Sequence, residues 1–210
     1  MMEEIFGTMR AFVDLFRRGG KLPWSIFMPL LVIAIGWPLL RIVVPSEREA
    51  FMFAFMIAMG LRFVLTAETT IHALRSRISG RTTLILLLLL GPAALALLIF
   101  AGEPVWCQRF LSVYFLIYAC LYLLDVIDGR QAMVKYFFAA DLPKGADQMM
   151  GRVMAIFYLT LVLLNETLIQ QTSLSLWLIY FGLLPILMQR VQLALLRTVK
   201  AAYAQGYRRF

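Results

Sequence analysis

From Thr82 to Ala101 the chain runs 20 residues without a charge, and this stretch limits the possible surroundings more than any other feature. A helix rising about 1.5 Å per residue crosses the roughly 30 Å hydrocarbon core of a bilayer in about 20 residues. An uncharged segment of that length reads as a transmembrane helix. The rest of the chain agrees: 62% of its residues are hydrophobic and 15% charged. A soluble domain averages about 45–50% and about 25%. Mean hydropathy is +0.82. The expected medium is lipid. About six spans and their loops use up most of the 210 residues, leaving no room for a separate soluble domain.

The other spans follow from the charges that bound them. Span one is expected from Leu22 to Val44, where Lys21 and Arg41 bracket 19 uncharged residues and Pro29 and Pro38 are candidate kinks. Span two, Ala50 to Leu74, is the least apolar and carries Arg62 and Glu68. Span three is Thr82 to Ala101, with Gly91-Pro92 as a candidate kink. Spans four and five are expected over Val105–Leu124 and Met149–Ile169. Span six starts at Leu174, reaches Met188 and continues as helix beyond the bilayer. The expected fold is all-α: a polytopic membrane helix bundle of about six transmembrane helices. Residues 1–20 form an amphipathic interfacial helix, 21–190 the transmembrane domain and 191–210 a basic cytoplasmic segment. In the first of these, Ile5, Met9, Phe12 and Phe16 share one face, and Gly19-Gly20 ends the helix. It does not read as a signal peptide, because the apolar segment that follows is too long and lacks a cleavage site.

Orientation follows from the basic residues, which concentrate on the cytoplasmic side. With six spans, 16 Lys and Arg fall in the termini and the second and fourth loops. Only Arg41, Arg48 and Arg109 fall on the other side. This sorting places both termini in the cytoplasm. It also accounts for the net charge of +8 without nucleic acid as a partner. Cys107 and Cys120 stand 13 residues apart in one helix. That is roughly 20 Å along the axis, too far for an intrachain disulfide. One histidine and two separated cysteines do not suit a structural zinc site.

Few residues carry chemistry. Arg62 is the costliest, roughly 18 Å into span two by helical rise. Burying it there costs at least about 2.5–3.5 kcal/mol. It suits a lipid or partner site, a transport path, or a structural pairing inside the bundle. Glu68 lies about 240° round the helix from it and is a poor partner. Glu68, His72 and Arg75 form a stripe at the end of span two, either a lipid or partner site or a hydrogen-bonded helix end. Asp125 and Asp128, followed by Gly129, resemble the first half of the metal motif of the CDP-alcohol phosphatidyltransferases. Gln131-Ala132-Met133 interrupts that motif, and Asp141 and Asp147 are misspaced for its second half. The pair reads better as a helix exit with a glycine cap than as a metal site. Asn165-Glu166-Thr167 is a sequon that reads as the polar link between spans five and six. No nucleophile elbow, zincin motif or Walker loop occurs. No cofactor is expected.

From Gly102 to Met188 the order of features resembles the intracellular septation protein A family. Gly102-Glu103-Pro104-Val105-Trp106 leads through Arg109 into a span. Gly129-Arg130-Gln131 and Leu142-Pro143 mark a cytoplasmic stretch. Phe157, Asn165, Thr172-Ser173, Trp177 and Phe181-Gly182-Leu183 follow in the family's order. The chain departs from the pattern before span five, where Met149 or Met150 replaces a tryptophan. The resemblance implies a bacterial inner-membrane protein of the cell envelope, associated with septation and not an enzyme. Its implied partners are membrane lipids and other membrane proteins of the envelope or division machinery.

Overall fold

The computed structural model describes residues 24–75, 102–138 and 141–204; over 66–75 the description covers the backbone. The expected interfacial helix of residues 1–20 and span three lie outside the described residues. Among those described, every regular element is a helix. After a single 3-10 turn at Trp24–Ile26 come α1 (Met28–Val43), α2 (Glu47–Arg75), α3 (Pro104–Asp128), α4 (Ala132–Phe138), α5 (Asp147–Gln171) and α6 (Leu174–Ala204).

Proline and glycine set several of these ends. Pro29 does not kink span one; it starts α1. A residue without an N–H and with a preset φ suits a first helical turn, and the described residues before it make a 3-10 turn. Pro104 opens α3 in the same way. α3 closes on Gly129, whose φ of 68° lies in the left-handed region where a Cβ is costly. The glycine cap expected there is thus present. The short helix α4 in the following loop was not expected. α6 runs unbroken through Pro185 to Ala204, continuing past Met188 as the sequence implied.

Helices α3, α5 and α6 are long and apolar enough to cross a membrane. α1 has 16 residues, about 24 Å of helix, and is short for a full crossing. α2 has the length, and between Ala50 and Ala67 its one charge is Arg62. The outer surfaces of these helices are apolar as well. Ile42, Val64, Ile127 and Leu163 are each at least 70% exposed. So broad an apolar surface is rare on soluble monomers, and the expectation of a membrane protein is met at this level.

The buried contacts give the helix directions. α5 runs antiparallel to α3, since Ser112 meets Asn165 while Tyr122 meets Tyr158. α6 runs antiparallel to α5, with Trp177 on Asn165 and Gln192 on Tyr158. α2 is parallel to α6, Phe51 meeting Trp177 and Arg62 meeting Met188. α2 is also parallel to α3, through Arg48–Glu103 and Arg62–Tyr114. Small residues allow close packing: Ala58 and Ala119 are fully buried. A Cβ on Gly182 would lie 3.2 Å from the Leu30 Cα of α1. Among the described residues, nothing lies within 4 Å of a Cβ placed on Gly60.

Candidate functional site

On α2 the buried positions Phe51, Ala54, Phe55, Ala58, Met59 and Arg62 recur at three- and four-residue steps. They form one inward stripe, so Arg62 points into the bundle because it continues an apolar face. It is 9% exposed. Its guanidinium carbon stands 5.5 Å from the centre of the Tyr114 ring, and Nη2 lies 3.8 Å from Met188 Sδ. A cation over a desolvated ring contributes up to about 2 kcal/mol. That offsets much of the burial cost, and the thioether adds a weak acceptor.

Arg62 borders a half-open cavity of about 390 Å³. One wall is a run of tyrosines. Tyr114 and Tyr118 have ring centres 5.0 Å apart, and Tyr118 and Tyr122 stack on Tyr158 at 5.2 and 5.7 Å. α3 presents the first three one turn apart, and α5 supplies the fourth. Opposite them, α6 contributes Met188, Gln189 and Gln192. Gln192 Nε2 donates to Tyr158 Oη at 3.2 Å. Gln189 Oε1 is buried and has no hydrogen-bond partner among the described residues. Ile26, Pro29, Leu65, Phe137, Phe138 and Pro185 complete the lining. The cavity therefore sits where α1 begins, along the middle turns of α2, α3, α5 and α6 on the side away from Trp177.

Away from the cavity the bundle is filled. Trp177 stacks on Phe181 with ring planes 6° apart, and Phe51 and Phe55 lie 5.8 and 6.0 Å from Trp177. Asn165, fully buried, joins three helices. Its Nδ2 donates to the Gln108 carbonyl at 2.9 Å and to Ser112 Oγ at 2.8 Å, and its Oδ1 accepts from Trp177 Nε1 at 3.1 Å. Ser112 in turn donates to Glu166 at 2.6 Å, and Glu166 lies 3.7 Å from Arg109. Asn165 is thus not in a link between spans. α5 continues to Gln171 and the turn falls at Thr172-Ser173, because interhelical hydrogen bonds let the helix carry these polar residues.

Of the remaining candidates, Asp125 and Asp128 do not line the cavity. Glu68, His72 and Arg75 stand on the last turns of α2, outside the residues whose side chains are described. Asp125 is fully buried, and its carboxylate accepts the Met133 N–H in the first turn of α4 at 2.5 Å. It thereby pins α4 to the end of α3. Asp128 is exposed, so burial separates the two aspartates. No group of three His, Cys, Asp or Glu side chains that could hold an ion occurs among the described residues. Both cysteines are free thiols, Cys107 buried and Cys120 exposed. The tyrosine wall was missed in the sequence. Its signal is the four-residue spacing of Tyr114, Tyr118 and Tyr122.

Comparisons with protein-family models, curated proteins and solved structures find no match to this chain.

Proposed function

We propose that the chain is an inner-membrane protein of the bacterial cell envelope. It serves envelope maintenance or septation through lipid and helix contacts and catalyses no reaction. The observation that carries this reading is the Arg62 cavity, half-open and walled by tyrosines, beside a packed Trp177 cluster on the same helices. A half-open pocket next to packed rings suits holding a ligand. The envelope and septation assignment rests on the resemblance from Gly102 to Met188.

Six spans with both termini in the cytoplasm are part of the proposal. The parallel course of α2 and α3 supports them, since the chain between must return from one end of the bundle to the other. The basic residues support them too: Arg41, Arg48 and Arg109, on the poorly charged side, each stand within 3.7 Å of a carboxylate.

The test is deletion of the gene, with cell length and detergent sensitivity as readouts, and crosslinking of the native chain in membranes. Filamentous or detergent-sensitive cells, and crosslinks to division or envelope proteins, are the expected result. Normal cells under envelope stress, with no specific crosslink, overturn it. A second reading, transport along a path through Arg62, is favoured by the cavity reaching halfway along α2. It requires water on the far side of the Trp177 cluster. In the proposed function, Cys107 resists a membrane-impermeant maleimide added from either side. Rapid labelling from the non-cytoplasmic side favours transport.

A further inference from the structure

We infer that the Arg62 cavity binds the phosphate group of a membrane lipid, the phosphate lying at Arg62 and the chains leaving past Leu65, Phe137 and Phe138 toward the bilayer. The inference rests on the reading of the chain as a lipid-contacting membrane protein and names what the cavity takes.

Three features of the lining point to this chemistry. Arg62 is nine-tenths buried, and its planar guanidinium donors match a phosphate in two places at once. The tyrosines bring hydroxyl groups to the same cavity, and Gln189 Oε1 adds a buried acceptor with no partner among the described residues. A headgroup bearing both phosphate oxygens and hydroxyls, as in phosphatidylglycerol, satisfies both kinds of group. The rest of the lining is aliphatic and aromatic, which suits hydrocarbon and not a free, fully hydrated anion. The size agrees: about 390 Å³ lies low in the range of small-molecule pockets, roughly 300–1,000 Å³. It holds a headgroup and not two acyl chains.

The experiment is native mass spectrometry of the full chain from detergent micelles, titrated separately with phosphatidylglycerol and diacylglycerol. Phosphatidylglycerol is expected to stay bound and diacylglycerol to be lost. In Arg62→Gln, retention of phosphatidylglycerol falls about tenfold, as for loss of one charge-assisted contact. Gln189→Leu keeps the charge and lowers retention about threefold. It carries the test if Arg62→Gln loses its helical circular dichroism. Equal retention of the two lipids overturns the inference, as does either folded variant binding phosphatidylglycerol like the wild type. Excess inorganic phosphate is expected to leave the complex intact. Displacement by it overturns the lipid as carrier and assigns the site to a soluble anion. Lipid retention with no envelope phenotype overturns the proposed function alone, and the phenotype without retention overturns this inference alone.

Discussion

The two ends of the bundle are built from the same four long helices and differ in kind. At the Trp177 end, α2 contributes Phe51 and Phe55 and α6 contributes Trp177 and Phe181. Rings fill the space, and the polar atoms of Asn165 close on three helices. At the Arg62 end the same stripes continue with different residues. Phe51 and Phe55 give way to Arg62 on α2, and Leu111 and Phe115 give way to Tyr118 and Tyr122 on α3. Aromatic rings persist, but with hydroxyls, and a cavity opens between them. One end is specialised for packing and the other leaves room with polar groups around it. The same helices thus carry a packed section and an open, polar-lined section along their length.

That contrast can be broken by substitution at each end, with unfolding followed in detergent by circular dichroism. Trp177→Ala is expected to be most damaging, at about 3–5 kcal/mol, because it empties the centre of the aromatic cluster. A small loss there would mean that the cluster does not support the bundle. Asn165→Ala comes next. It removes three hydrogen bonds, each worth about 0.6 and up to about 1.7 kcal/mol between membrane helices. A loss of about 2 kcal/mol is expected, and Asn165→Asp should restore less than half of it, since a carboxylate cannot donate to Gln108 and Ser112. Gln192→Leu, in the cavity, removes a single bond to Tyr158 and should cost about 0.6 kcal/mol. If it costs as much as Asn165→Ala, the cavity end is structural and the contrast fails.

The helices were legible because length and charge decide them locally. The expected Val105–Leu124 and Met149–Ile169 became Pro104–Asp128 and Asp147–Gln171. The Gly129 cap and the continuation of α6 also followed from local residue chemistry. The inward faces were not legible. In a soluble helix the outward side is polar and the contrast marks the core. Here the outward side carries Val113, Leu116, Ile117 and Leu124, as apolar as anything inside. The useful signal is inverted. Gln108, Ser112 and Asn165 are polar residues within apolar helices and mark the buried side.

By itself the sequence determined the apolar character of the chain and the long helices α3, α5 and α6, because both depend on the composition and length of contiguous segments. The tertiary structure alone decided that Asn165 meets Trp177 and that Arg62 meets Tyr114 and borders a cavity. Those pairings depend on the rotation and register of helices far apart in the chain, which close packing across the bundle sets and no local pattern encodes.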